Sequence, residues 1–169
     1  MQSEVLINED RIRERVLQLA AQIDCDYDDK IPILVGVLKG SFIFLSDLVR
    51  LLKIKHQVDF LTVASYDGGL TSTGIVRLVS DLSVNIEGRH VLIVEDIIDT
   101  GLTTDYILKN LQTRNPASLE FVVLLNKQEC RKIDVPVKYS GFEIPDQFVV
   151  GYGLDYNQYY RNLPYIARL

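Results

Sequence analysis

The chain has 169 residues, the size of one ordinary domain, and 47% of them are apolar, enough to bury a two-sided core. Its formal charge of -5 leaves no basic footprint for nucleic acid or for an anionic membrane surface, so local chemistry must attract any polyanionic ligand. No apolar run is long enough to span a bilayer, Met1-Gln2-Ser3-Glu4 lacks the basic start of a signal peptide, and Cys25 and Cys130 stand in no metal-ligand spacing; the expectation is one cytoplasmic domain over residues 1–169 with free thiols.

Over residues 8–23, Ile12, Val16, Leu19 and Ile23 fall on one helical stripe. Asn8 stands as N-cap, and Glu9 and Asp10 occupy the first turn, where acidic groups suit the helix dipole. Residues 33–37, after Pro32, predict a strand buried on both faces, and Leu38-Lys39-Gly40-Ser41 turns it into an apolar helix over residues 42–52. A strand over residues 58–64 leads into the polar, glycine-rich stretch 65–74, longer than a hairpin needs and expected to be mobile, before a returning strand over residues 75–79. Residues 91–94 predict another buried strand, followed by a loop over 95–101 and a helix bearing Ile107, Leu108 and Leu111 that closes near Asn115-Pro116. Residues 121–125 and 148–150 are further strands, and an aromatic, polar tail follows over 151–168. Buried strands alternating with amphipathic helices predict an α/β fold, a mostly parallel central sheet with helices on both faces. Ligands in such folds bind beyond the carboxyl ends of the strands.

The most informative run is Glu95-Asp96, then Asp99-Thr100-Gly101-Leu102-Thr103-Thr104 opening a helix. Backbone N–H groups, hydroxyls and a helix N-terminus suit a phosphate, although the spacing is not that of a nucleoside-triphosphate loop. Three carboxylates beside that cradle would repel a bare phosphate. They make sense if the ligand also carries ribose hydroxyls or bound metal ions, so the inferred ligand is a phosphorylated sugar with its diol on Glu95 and Asp96.

Val91-Leu92-Ile93-Val94-Glu95-Asp96-Ile97-Ile98-Asp99-Thr100-Gly101 resembles the phosphoribosyl pyrophosphate motif of type I phosphoribosyltransferases. With Leu38-Lys39-Gly40-Ser41, Ser65-Tyr66, Lys127, the run Gly141-Phe142-Glu143-Ile144-Pro145-Asp146-Gln147-Phe148-Val149-Val150-Gly151-Tyr152, Asp155-Tyr156 and Arg161, nearly the whole chain resembles the hypoxanthine-guanine branch of that family. The resemblance implies that fold, with a small hood formed by terminal segments. It also implies transfer of the 5-phosphoribosyl group from phosphoribosyl pyrophosphate to a 6-oxopurine, giving IMP or GMP and pyrophosphate, with magnesium as cofactor and a homodimer or homotetramer as the assembly. Carried over residue by residue, it puts ribose phosphate on Glu95, Asp96, Ile98, Asp99, Thr100, Gly101, Leu102 and Thr103. Pyrophosphate falls to Lys39, Gly40 and Arg161, with a non-proline cis bond often present before Lys39. The purine falls to Lys127, Phe148, Val149 and Asp155, the metal to Glu95, Asp96 and Asp155, and a closing loop to Ser65, Tyr66 and the residues up to Gly74. Asp99 is the catalytic candidate, accepting a proton from the five-membered ring of the base or hydrogen-bonding to it without full transfer.

Each of these residues has a plainer reading when taken alone. A carboxylate pair after a strand is usually solvated, Lys39 and Lys127 are usually surface lysines, and Phe148 is usually core. Tyr152, Tyr156, Tyr159, Tyr160 and Tyr165 read as packing or a subunit interface, and His56 and His90 receive no role. Two other functions remain to be weighed: an RNA-binding regulator on the same scaffold, opposed by the acidic charge, and specificity for orotate or uracil, opposed by Lys127 with Phe148-Val149.

Overall fold

The computed structural model describes residues 4–66 and 75–169. In chain order the elements are β1 (Glu4–Ile7), α1 (Glu9–Asp26), β2 (Ile33–Leu38), α2 (Phe42–Leu51), β3 (Gln57–Tyr66), β4 (Ile75–Ser80), β5 (His90–Ile98), α3 (Leu102–Gln112), β6 (Ser118–Asn126), β7 (Tyr139–Glu143), β8 (Val149–Val150) and β9 (Ile166–Arg168). The larger sheet has the order β4-β3-β2-β5-β6-β7, with β4 antiparallel to β3 and the other described pairs parallel. A three-stranded antiparallel sheet, β1-β9-β8, joins the two terminal segments into a hood.

Local chemistry explains the helices and the buried strands. Asn8 Oδ1 accepts from the Arg11 N–H at 2.9 Å and caps α1, whose Ile12, Val16, Leu19 and Ile23 are buried. In β2, Leu34 joins the core under α1 and α2, whereas Ile33, Val35 and Val37 join the core that holds Ile107 and Leu111 of α3. Alternate side chains thus enter opposite layers, which is why the strand reads as one apolar run.

The structure differs from the sequence expectation at two places. β5 continues to Ile98 instead of ending at Val94, because Glu95, Ile97 and Ile98 still pair with Val123, Leu125 and Asn126 of β6. The two acids made a strand end look like a loop. Ser65 and Tyr66 also extend a strand, pairing with Val76 and Ile75, and the rest of the expected closing loop, residues 67–74, lies outside the described residues. The expected strand at 148–150 is β8, which pairs with β9 in the hood. None of the described helices is long and apolar enough to cross a membrane.

Candidate active site

The parallel register of β2 with β5, Gly36 opposite Val94, brings the loop after β2 beside the end of β5. The approach is so close that a Cβ on Gly40 would lie 1.8 Å from Asp96 Oδ2. A larger residue at this position would have to displace the Asp96 carboxylate. Within this loop the Leu38–Lys39 peptide bond is cis. From the other side comes the segment after β8, where Gly153 has φ +103° and a Cβ on it would meet the Gly40 carbonyl oxygen at 2.1 Å. Arg161, from the same segment, donates to the Gly153 carbonyl at 2.7 Å, pairs with Asp155 Oδ1 at 2.7 Å and reaches Gln158 Oε1 at 3.2 Å. Gln158 Oε1 also accepts from Lys39 Nζ at 3.3 Å. Lys39, Gly40, Asp96, Asp155 and Arg161 are thus assembled from three separate stretches of sequence.

Glu95 and Asp96 sit at the floor of this assembly. Glu95 is buried, its Oε1 has no hydrogen-bond partner among the described residues, and burial first, then the neighbouring Asp96 charge, pushes its carboxyl well above the usual range. Burial likewise pushes Asp96 up to about 6, against backbone N–H groups and the Arg161 charge, which favour its ionised form. Hard oxygen donors with one buried acceptor unused suit a magnesium ion. Among the described residues no three His, Cys, Asp or Glu side chains form a metal-holding group, so Glu95, Asp96 and Asp155 are not a closed protein cage. Magnesium commonly takes only one or two carboxylates and completes its shell with substrate oxygens and water.

Asp99, Thr100 and Gly101 connect β5 to α3. Gly101 caps the helix with φ +85° and no side-chain bond, and the first-turn N–H groups have no intrahelical acceptor. Leu102 and Thr103 begin that turn, half-buried. The Thr100 carbonyl accepts from Lys132 and Ile133 at 2.9 and 3.2 Å, which fixes the loop from below. Ile98 is core, packed with Val123 and Val135, and its carbonyl accepts from the Lys127 N–H at 3.0 Å. Its side chain therefore packs beneath the loop that leads into α3.

Lys127 follows β6 directly and is buried, with Nζ 3.3 Å from Asp99 Oδ2 and 3.5 Å from Asp146 Oδ1. Phe148 is 54% exposed and meets Tyr156 edge-on at 5.7 Å, while Val149 is buried in β8. An apolar side chain that exposed is not part of the core. The helix start, the carboxylates and the buried lysine offer N–H groups that suit an anion, acceptors that suit hydroxyls, and a donor beside an acceptor.

Residues 2–157 match the model of the phosphoribosyl transferase domain family. The chain belongs to that family. It is 48% identical over 173 residues to a hypoxanthine-guanine phosphoribosyltransferase of Dictyostelium discoideum, covering 100% of this chain and 96% of that protein. Among solved structures, it superposes with a TM-score of 0.95 on a Bacillus anthracis hypoxanthine-guanine phosphoribosyltransferase holding HEPES in its active site, at 43% identity over 100% of this chain and 99% of the other. A Trypanosoma cruzi hypoxanthine phosphoribosyl transferase, solved in work on the role of its C-terminal region in oligomeric state and activity, gives a TM-score of 0.93 at 44% identity, covering 98% of this chain and 90% of the other.

The sequence reading overlooked Asp146, Gln158 and Gly153 as parts of this site. Asp146 and Gly153 lie in or beside the quoted motif run and were legible there. Gln158 was not: its bonds reach Lys39, 119 residues away, and no local pattern encodes that contact.

Proposed function

We infer that this chain carries out the reaction for which its relatives are named, transferring the 5-phosphoribosyl group of phosphoribosyl pyrophosphate to a 6-oxopurine, hypoxanthine or guanine, in purine salvage. The observation that carries the reading is the convergence of Lys127 and Asp99 beside the Glu95-Asp96 pair and the start of α3.

The sugar phosphate sits on Asp99, Thr100, Gly101, Leu102 and Thr103, where first-turn N–H groups receive it, and the ribose diol donates to Glu95 and Asp96. Lys39, Gly40 and Arg161 take the pyrophosphate. The purine lies on Phe148, with Lys127 donating to its oxo oxygen and the Val149 backbone completing the edge. Asp99 accepts the proton from the ring nitrogen as that nitrogen bonds to the anomeric carbon and the bond to pyrophosphate breaks. Arg161 steadies the charge that develops on the leaving group. Glu95, Asp96 and Asp155 would hold magnesium, which when bound neutralises the departing pyrophosphate. Ser65 and Tyr66, at the end of β3, are the described part of the expected closing loop.

Residues 1–169 act as one domain in the cytoplasm and assemble as a homodimer or homotetramer. Support for assembly comes from Val58 and Phe60, alternate residues on one face of β3 that are 42% exposed, beside Val79 at 55% on β4. The test of function supplies phosphoribosyl pyrophosphate, magnesium and each of five nucleobases in turn and follows pyrophosphate release. Release is expected with hypoxanthine or guanine, to stop in chelator and to return with magnesium. Release with orotate or uracil alone would overturn the reading.

A further inference from the structure

The pyrophosphate end of the site is shared between the loop 38–41, which runs into α2, and the segment after β8 that carries Gly153, Asp155 and Arg161. The two meet with little tolerance, since a Cβ on Gly153 would lie 2.1 Å from the Gly40 carbonyl oxygen. Backbone bonds from Tyr152 to Leu163 at 2.8 Å and from Gly153 to Arg161 at 3.0 Å tie the segment to itself. They do not tie it to α2. Tyr152 and Leu154 share a core with Phe44, Leu45 and Leu48 of α2. Of the side-chain hydrogen bonds across this seam among the described residues, Lys39 to Gln158 is exposed, whereas the buried Tyr152 donates its hydroxyl to Asp47 Oδ2 on α2 at 2.6 Å.

We propose that the Tyr152–Asp47 hydrogen bond is a positioning contact that holds Gly153, Asp155 and Arg161 against the Lys39-Gly40 loop and so sets affinity for the pyrophosphate half of the donor. The proposal rests on the reading above that pyrophosphate binds between these segments. The bond borders a cavity of about 540 Å³ lined by Ile43, Asp47, Arg50, Tyr152 and Leu163 among others, so the segment has room to shift once the bond is gone. The purine end is anchored by other means: Val149 pairs with Arg168 of β9, the Leu169 N–H reaches the Phe148 carbonyl at 3.3 Å, and Lys127 leaves β6. Loss of the clamp therefore acts on one substrate and spares the other.

The test compares KM for both substrates in the full chain with magnesium present. Tyr152→Phe, which removes only the hydroxyl, is expected to raise KM for phosphoribosyl pyrophosphate about fivefold to tenfold, the size of one lost hydrogen bond. KM for hypoxanthine should move by less than about twofold, as for independent sites. Asp47→Ala should reproduce this, Asp47→Asn, which keeps an acceptor, should stay near wild type, and Tyr152→Phe with Asp47→Ala should be no worse than either alone. Equal weakening of both substrates, a change in melting temperature alone, or additive losses in the double variant would show a merely structural contact. Arg161→Gln separates the clamp from the pyrophosphate site itself. If it weakens the donor and Tyr152→Phe does not, the clamp fails; if neither does, the assignment of the pyrophosphate site fails and the clamp falls with it.

Discussion

Lys127 Nζ lies 3.3 Å from Asp99 Oδ2, a donor and an acceptor side by side on two different strand ends. A 6-oxopurine presents the complementary pair on one edge, an oxo acceptor next to the five-membered ring nitrogens. β5 and β6 are adjacent and parallel with Ile98 opposite Asn126, so the pairing of two strands sets this match.

Asp99→Asn should lower turnover by roughly a hundredfold or more, the usual scale of general acid-base catalysis, with donor affinity largely intact because its other loop contacts remain. Steady-state kinetics with hypoxanthine together with donor binding by calorimetry checks the split. Unchanged turnover would remove Asp99 from the mechanism.

Glu95→Gln should stabilise the unliganded protein while reducing activity. The Glu95 carboxyl is raised by burial and by Asp96, so its favourable, protonated state is fully present below the unfolded pKa and is lost as pH rises through the folded one. The variant carries no charge to bury. Its melting temperature should therefore exceed wild type by several degrees at pH 8, at about 2–4 °C per kcal/mol for a domain of this size, with the gap shrinking toward pH 5. A gap that widens in acid would contradict the assignment.

Asp59 shows the opposite sign. Burial pushes its carboxyl up, but N–H groups of Phe60, Val84 and Ser83 and the Ser83 hydroxyl, at 2.8 to 3.0 Å, hold it below the usual value. Its contribution is present above the unfolded pKa and is lost as pH falls through the folded one. Asp59→Ala should cost about 3 kcal/mol at pH 7, since several N–H groups lose a charged acceptor, and the deficit should narrow in denaturant titrations below about pH 4.

How much of this was legible in the sequence depends on the range of the interactions. The N-cap at Asn8, the stripe of α1 and the doubly buried strands β2, β5 and β6 follow from periodicity, because their determinants lie within a few residues. The hood was legible only in part: β8 read as a strand, but β1 and β9 have four and three residues and gain stability only by pairing. At the site, the acids and the helix start were readable as chemistry, whereas the extension of β5 through Glu95 was not, since its pairing with β6 outweighs the low strand preference of a buried acid. The reach of Asp146 to Lys127 and of Gln158 to Lys39 depends on tertiary placement alone.

Lys127→Met should reduce kcat/KM with hypoxanthine far more than with adenine, because it removes both the attraction to an oxo group and the clash with an amino group. An unchanged ratio between the two bases in this variant would dissociate Lys127 from base recognition.

The central claim, a pocket built for a 6-oxopurine, is tested most directly by kcat/KM for hypoxanthine and for adenine in the wild-type protein with magnesium and phosphoribosyl pyrophosphate. The buried Lys127 donor facing the adenine amino group leaves two donors unpaired, which discriminates by roughly four orders of magnitude. A ratio of that order in favour of hypoxanthine is expected; comparable use of adenine would overturn the pairing of Lys127 with an oxo group.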